Sequence, residues 1–200
     1  ILGSQNLVAV LGIVTAVGSM ISMALCPLLI KKLNERNAYI LLSVYGFAAS
    51  VFSFVIGHFW FQSPKNMVLT VLFYASLFLI GLQFGAVTLM PMIMTADTVD
   101  YYEHETGKRM EGACYSILTL TIKVCLALGT AVGLIFVQKS GYYESLSAGT
   151  FTTKTKDIIF FAYTALPGIL ALLSIVPMFK YDIVGEKKAK ISSDLASRRK

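Results

Sequence analysis

The sequence predicts an all-α membrane protein built from five transmembrane helices. Three observations carry that prediction. Of the 200 residues, 56% are hydrophobic and only 14% are charged, whereas a soluble domain usually carries about 25% charged residues. Mean hydropathy is +0.71. Five apolar runs each exceed the roughly 17 residues that a helix needs to cross the hydrocarbon core, and together they contain one formal charge, Lys123. Disordered, collagen-like and disulfide-rich secreted classes fail on the same composition.

The runs are residues 7–30, 38–61, 67–95, 112–137 and 158–179. A helix satisfies its own backbone hydrogen bonds in lipid, so each run reads as one spanning helix. The 67–95 run is long enough to imply tilt or extension past the bilayer. Pro27, Pro91, Pro167, Gly81, Gly85, Gly129 and Gly133 lie inside these runs, as suits transmembrane helices that kink or pack closely. Gly129 and Gly133 form a GxxxG pair, and Pro91 is placed to bend the third helix near its end. Residues 1–180 therefore form a helical bundle, and 181–200 a basic tail that reads as mobile and facing solvent or lipid headgroups.

Basic residues between the runs set the orientation. Twelve fall on one side, in the 31–37 loop, at Lys108 and Arg109, and in the tail; four fall on the other, Lys65, Lys139, Lys154 and Lys156. The first side is expected to be cytoplasmic, which puts the C-terminus inside and the N-terminus outside. The net charge of +6 and the pI near 9.2 follow from this pattern and do not imply a nucleic-acid partner. Cys26, Cys114 and Cys125 lie in apolar runs without metal-ligand or disulfide spacing. The chain opens at Ile1 with neither Met nor a signal peptide, so an internal fragment is expected. His58, in the aromatic turn His58-Phe59-Trp60-Phe61, reads as an interfacial anchor, with a ligand role as the alternative.

Two features point to chemistry. The segment 96–112, ADTVDYYEHETGKRMEG, holds five of the eleven acids: Asp97, Asp100, Glu103, Glu105 and Glu111. Asp97 and Asp100 are three apart and share a helical face. Gly107 follows in a turn that suits positive φ. Either the segment is a solvated loop, or its acids and Arg109 form an ionic lock at the mouth of the bundle. The second feature is Lys123, about 16 Å into the fourth run at 1.5 Å per residue, close to mid-membrane. Ser116, Thr119, Ala127 and Thr130 fall on its helical stripe, so it faces either a polar cavity or a buried partner. Ionisable groups at such depth are functional by default, and no acid in the other four runs can pair with it.

Read together, ADTVDYYEHETGKRMEG, Tyr115-Ser116 and Lys123 resemble the glycoside–pentoside–hexuronide:cation symporters, the melibiose permease-like family within the major facilitator superfamily. The resemblance covers the C-terminal half of that twelve-helix fold less its first helix, so the five runs would be helices 8–12. It implies a fragment of a secondary transporter, in which a sugar or glycoside and a coupling cation (Na⁺ or H⁺) move together by alternating access. Under it, Asp97, Asp100, Glu103, Arg109 and Glu111 belong to a cytoplasmic gate network, and Lys123 with Ser116 and Thr119 to cation–sugar coupling. Tyr102 departs from the family, where many members have Gly or Asp, and the sugar preference is not carried over.

The implied partners are the sugar, the cation, the lipid bilayer of the plasma membrane and an absent N-terminal half. No cofactor and no resident metal are expected. The alternative class is a membrane enzyme in which Asp97, Asp100 and Glu103 bind a divalent metal for lipid phosphoryl transfer. A lipid-transporting or scaffold relative is the third reading.

Overall fold

The computed structural model describes residues 5–63 and 65–198, and every regular element in that range is helical. Ile1–Ser4, and Arg199 and Lys200 of the basic tail, lie outside the described residues.

Helix α1 (Gln5–Gln62) is a hairpin of two arms that meet at Asn34, whose φ of 65° and ψ of 161° break the helical path. Asparagine tolerates this left-handed φ better than most residues that carry a Cβ. The arms run antiparallel. Cys26 and Leu29 pack with Ala38 and Leu42 near the turn, while Leu11 and Val14 pack with Phe54, Ile56 and Trp60 at the far end. The expected 31–37 loop is therefore almost wholly helical, and one residue makes the reversal.

Helix α2 (Met67–Thr106) starts at Asn66, whose side chain accepts from the Val68 N–H, and stops at Gly107, which has φ 70°. The turn expected at Gly107 is thus present, and it exploits the freedom of a residue without Cβ. The helix passes through Pro91 without interruption and continues well beyond the apolar run. Its small residues let the first arm of α1 come to backbone contact. A Cβ on Gly85 would sit 2.1 Å from the Ser19 carbonyl oxygen, and one on Gly81 2.4 Å from that of Thr15. In lipid such close packing replaces the hydrophobic drive between helices. At the far end Trp60 stacks on Phe73 at 4.6 Å and donates to the Thr70 hydroxyl.

Helix α3 (Glu111–Lys139) buries none of its residues. Among the described residues nothing lies within 4 Å of where a Cβ on Gly129 or Gly133 would sit, so their GxxxG pair makes no helix contact there. A short α4 (Tyr142–Ser147) leads to the last apolar stretch. That stretch is divided into α5 (Thr153–Tyr163), α6 (Ala165–Leu173) and α7 (Ile175–Met178). The breaks have a simple cause. Pro167 and Pro177 cannot donate to the carbonyls four residues back, Tyr163 and Leu173, and α5 and α6 end at those two residues. The break at Ser174 is also a link, since the buried Tyr39 donates to the Ser174 hydroxyl at 2.8 Å.

Among the described residues, four helical stretches are long and apolar enough to cross a membrane, and the first of them contains both arms of α1. The all-α membrane architecture expected from hydropathy is the one observed. The tail differs from its expectation of a mobile segment: residues Gly185–Arg198 form helix α8. Ile191 and Leu195, one turn apart, are buried with Ile183 against Tyr101 of α2 and Tyr181. A four-residue apolar spacing inside a basic sequence is enough to dock one face.

Candidate functional site

The charged chemistry gathers at the α8 end of the bundle, where α2 outruns its apolar stretch. Two clusters form there, on different sides of α2. In the first, Arg109, in the α2–α3 connection, places Nη1 3.0 Å from Asp100 Oδ1 and 2.7 Å from Glu103 Oε2, and Nε 3.2 Å from Glu111 Oε2. The Glu103, Asp100 and Glu111 carboxylates, in that order of effect, raise the pKa of an already permanent cation. One guanidinium thus pins the end of α2 to the first turn of α3. Glu111 also lies in that first turn, where a carboxylate suits the helix dipole.

The second cluster takes Asp97 away from Arg109. Lys188 of α8 sets its Nζ 2.7 Å and 2.8 Å from the two Asp97 oxygens and 2.6 Å from Glu35 Oε1. Glu35 is the first residue after the Asn34 turn, and both carboxylate side chains are under 10% exposed. Tyr181 completes the group by donating to Asp97 at 3.4 Å. Burial pulls the Lys188 pKa down, but its bonds to Asp97 and Glu35 outweigh that, and the net shift is upward. Burial, with the Asp97 and Glu35 charges behind it, drives the Tyr181 phenol well above its ordinary value, so it stays a donor.

Of the predicted gate residues, the structure joins Asp100, Glu103, Glu111 and Arg109 and sets Asp97 apart. Glu35, Tyr181 and Lys188 escaped the sequence reading. One signal was present: Glu35 is the lone acid among Lys31, Lys32 and Arg36. The three carboxylates of the metal-enzyme alternative are each engaged by a cationic side chain. Among the described residues, no group of three or more His, Cys, Asp or Glu side chains is placed to hold a metal ion.

Lys123 lies elsewhere. Together with Gly112, Tyr115, Ser116, Thr119 and Leu120 it lines an open trough on α3, which holds Ser116, Thr119 and Lys123 of the predicted stripe but not Ala127 or Thr130. Lys123 is exposed and has no ion pair among the described residues. Thr119 donates to the Tyr115 carbonyl within its own helix, leaving its oxygen free to accept from the trough. At the opposite end His58 contacts Asp157 of α5 at 3.1 Å and Gln62 at 2.9 Å. It is a link between α1 and α5 beside the aromatic cluster.

The glucuronide carrier protein homolog of Escherichia coli K12 is 24% identical over the whole chain, which covers 41% of that protein. A putative sulfoquinovose importer of the same organism is 24% identical, again over the whole chain and 40% of the relative. A putative glycoside/cation symporter, also from E. coli K12, is 26% identical over 70% of the chain and 29% of its own length. The chain therefore spans about half or less of the relatives it matches. No solved structure matches it significantly. The profile of the family described as MFS/sugar transport protein matches residues 1–185, and the chain belongs to that family of membrane transporters.

Proposed function

We propose that the chain is the C-terminal part of a cation-coupled sugar or glycoside symporter, contributing helices 8–12 of a twelve-helix bundle in the plasma membrane. In this reading an N-terminal half supplies the other wall of the cavity, and the α8 end faces the cytoplasm, as its excess of basic residues suggests. Arg109, Asp100, Glu103 and Glu111 form the cytoplasmic gate network. Lys123, Ser116 and Thr119 line the central cavity and set the polarity that couples cation to sugar.

The observation that carries the proposal is the placement of Lys123. A lysine near the middle of an otherwise uncharged helix costs several kcal/mol in lipid by insertion scales, about 2.5–3.5. It is retained here on an open trough beside Ser116 and Thr119, in a chain whose family moves sugars. The test is uptake by the full-length transporter in proteoliposomes, with Na⁺ and H⁺ gradients imposed separately. One gradient should drive sugar accumulation, and Lys123→Gln should abolish that accumulation while sugar exchange across equal concentrations persists. Accumulation at the parental level in Lys123→Gln would remove Lys123 from coupling. Absence of uptake under both gradients, across a panel of sugars and glycosides, would remove the symporter reading itself.

A further inference from the structure

Three elements distant in sequence meet at Lys188. Its ammonium lies between Glu35, at the turn of the α1 hairpin, and Asp97, in the last third of α2 (Met67–Thr106). The two carboxylates are nearly buried and approach the same nitrogen, so without it they would be two like charges a few ångströms apart in a poorly solvated place. Such a pair drives separation of the groups or protonation of one of them. Lys188 itself is 37% exposed, so it can leave into water at modest cost while the carboxylates cannot. This asymmetry would let the contact exist in two arrangements: with the lysine present and the two elements together, or with it gone and the carboxylates driven apart.

The rest of α8 reinforces the contact from the far side. Arg198 donates to the His104 carbonyl at the end of α2 at 3.0 Å, and Asp194 contacts the His104 ring at 3.1 Å. Lys187 sits 5.0 Å over the Tyr101 ring, within cation–π range. Only a small apolar patch, Ile183, Ile191 and Leu195, adds to these polar ties. The attachment of α8 is therefore mostly polar, unlike the glycine-packed contact between α1 and α2.

We propose that α8 is a latch on its end of the bundle, with Lys188 as its positioning residue: by joining Glu35 to Asp97 it holds the turn of α1 against the last third of α2, and its release opens that end. Asp97 lies one helical turn before Asp100, so the latch also fixes how α2 presents Asp100 and Glu103 to Arg109. The proposal deepens the transporter reading and rests on it for its link to gating, but the latch itself is a matter of distance.

The test uses the full-length transporter with spin labels introduced at the exposed Asn37 and Glu105, and measures their separation by pulsed electron resonance in proteoliposomes. The parent should give one narrow, short distribution. Lys188→Gln should broaden it and shift it to longer distance, and Lys188→Arg should keep the parental distribution. The triple variant Glu35→Gln, Asp97→Asn, Lys188→Gln should return toward the parent, because the uncompensated carboxylates are gone. That rescue separates a latch from a misfolded protein. An unchanged distance in Lys188→Gln, or a triple variant as open as the single one, would overturn the latch. A parent that fails to take up sugar while the distances behave as stated would overturn the symporter reading and leave the latch standing.

Discussion

Replacing Gly85 with alanine should loosen the bundle at its tightest seam. The added Cβ would lie 2.1 Å from the Ser19 carbonyl oxygen, with Ser19 C and Cα at 2.8 and 2.9 Å. Relief to an ordinary contact requires α1 and α2 to separate by about 1 Å or more, since carbon contacts settle near 3.5 Å. Neither partner is a side chain that can turn aside. The same shift would slacken the neighbouring contacts of Gly81 with Thr15 and of Gly18 with Phe78. Overpacking of this kind costs about 1–3 kcal/mol, and a backbone-to-backbone clash belongs in the upper part of that range. A cost of about 2–3 kcal/mol in a chain of this size lowers Tm by about 4–12 °C.

The assay is thermal unfolding in detergent, followed with a maleimide dye in a background where Cys26 is the sole cysteine. Cys26 is buried in the core between α1 and α2, so its exposure reports loss of that seam. Gly133→Ala is the control, because nothing lies within 4 Å of its built Cβ. It should leave Tm unchanged or raise it slightly through better helix propensity. A Gly85→Ala protein within about 2 °C of the parent, or a Gly133→Ala protein lowered as much as Gly85→Ala, would refute the packing argument.

Two further outcomes follow from polar groups. The Ser43 hydroxyl is fully buried and has no hydrogen-bond partner among the described residues; Ser43→Ala should therefore be neutral or raise stability by up to about 1 kcal/mol, readable as a rise in Tm. Lys188 has a raised folded pKa, so its contribution to stability is complete below the unfolded value of about 10.4 and is lost as pH rises through the higher folded one. Melting curves should show that loss only in the alkaline range, and Lys188→Gln should remove that part of the pH dependence; the same alkaline loss in the variant would assign it to other groups.

Much of the architecture was legible in the chain. Long uncharged runs between charged segments dictate helices in a bilayer, because transfer of each residue into lipid depends on that residue and its near neighbours. Gly107 was readable for the same local reason. The proline breaks at Thr164 and Ser174 were half readable: Pro167 was noticed, but its effect falls on the carbonyl four residues earlier. The α8 helix is not legible in the tail, whose basic composition dominates, because the two-residue stripe of Ile191 and Leu195 becomes meaningful only when Tyr101 and Tyr181 are there to meet it.

The candidate site was legible in its members but not in its pairings. Asp97 and Asp100 are three residues apart, yet at about 100° per residue their side chains still diverge by about 60° around the helix. Asp100 and Glu103 diverge by the same angle and still share Arg109, so the pairing of Asp97 with Lys188 is decided by where α8 docks. Likewise, Gly81/Gly85 and Gly129/Gly133 carry the same spacing, and only the first pair meets another helix.

Membrane residence, helical class and the isolation of Lys123 as the single charge in the apolar runs were determined by the sequence alone, since each is a sum over local preferences for lipid or water. The partner of Asp97, the docking of α8 and the choice of glycine seam were decided by tertiary structure. Each depends on which residues, up to 153 positions apart as for Glu35 and Lys188, are carried to the same few ångströms, and no local preference encodes that distance.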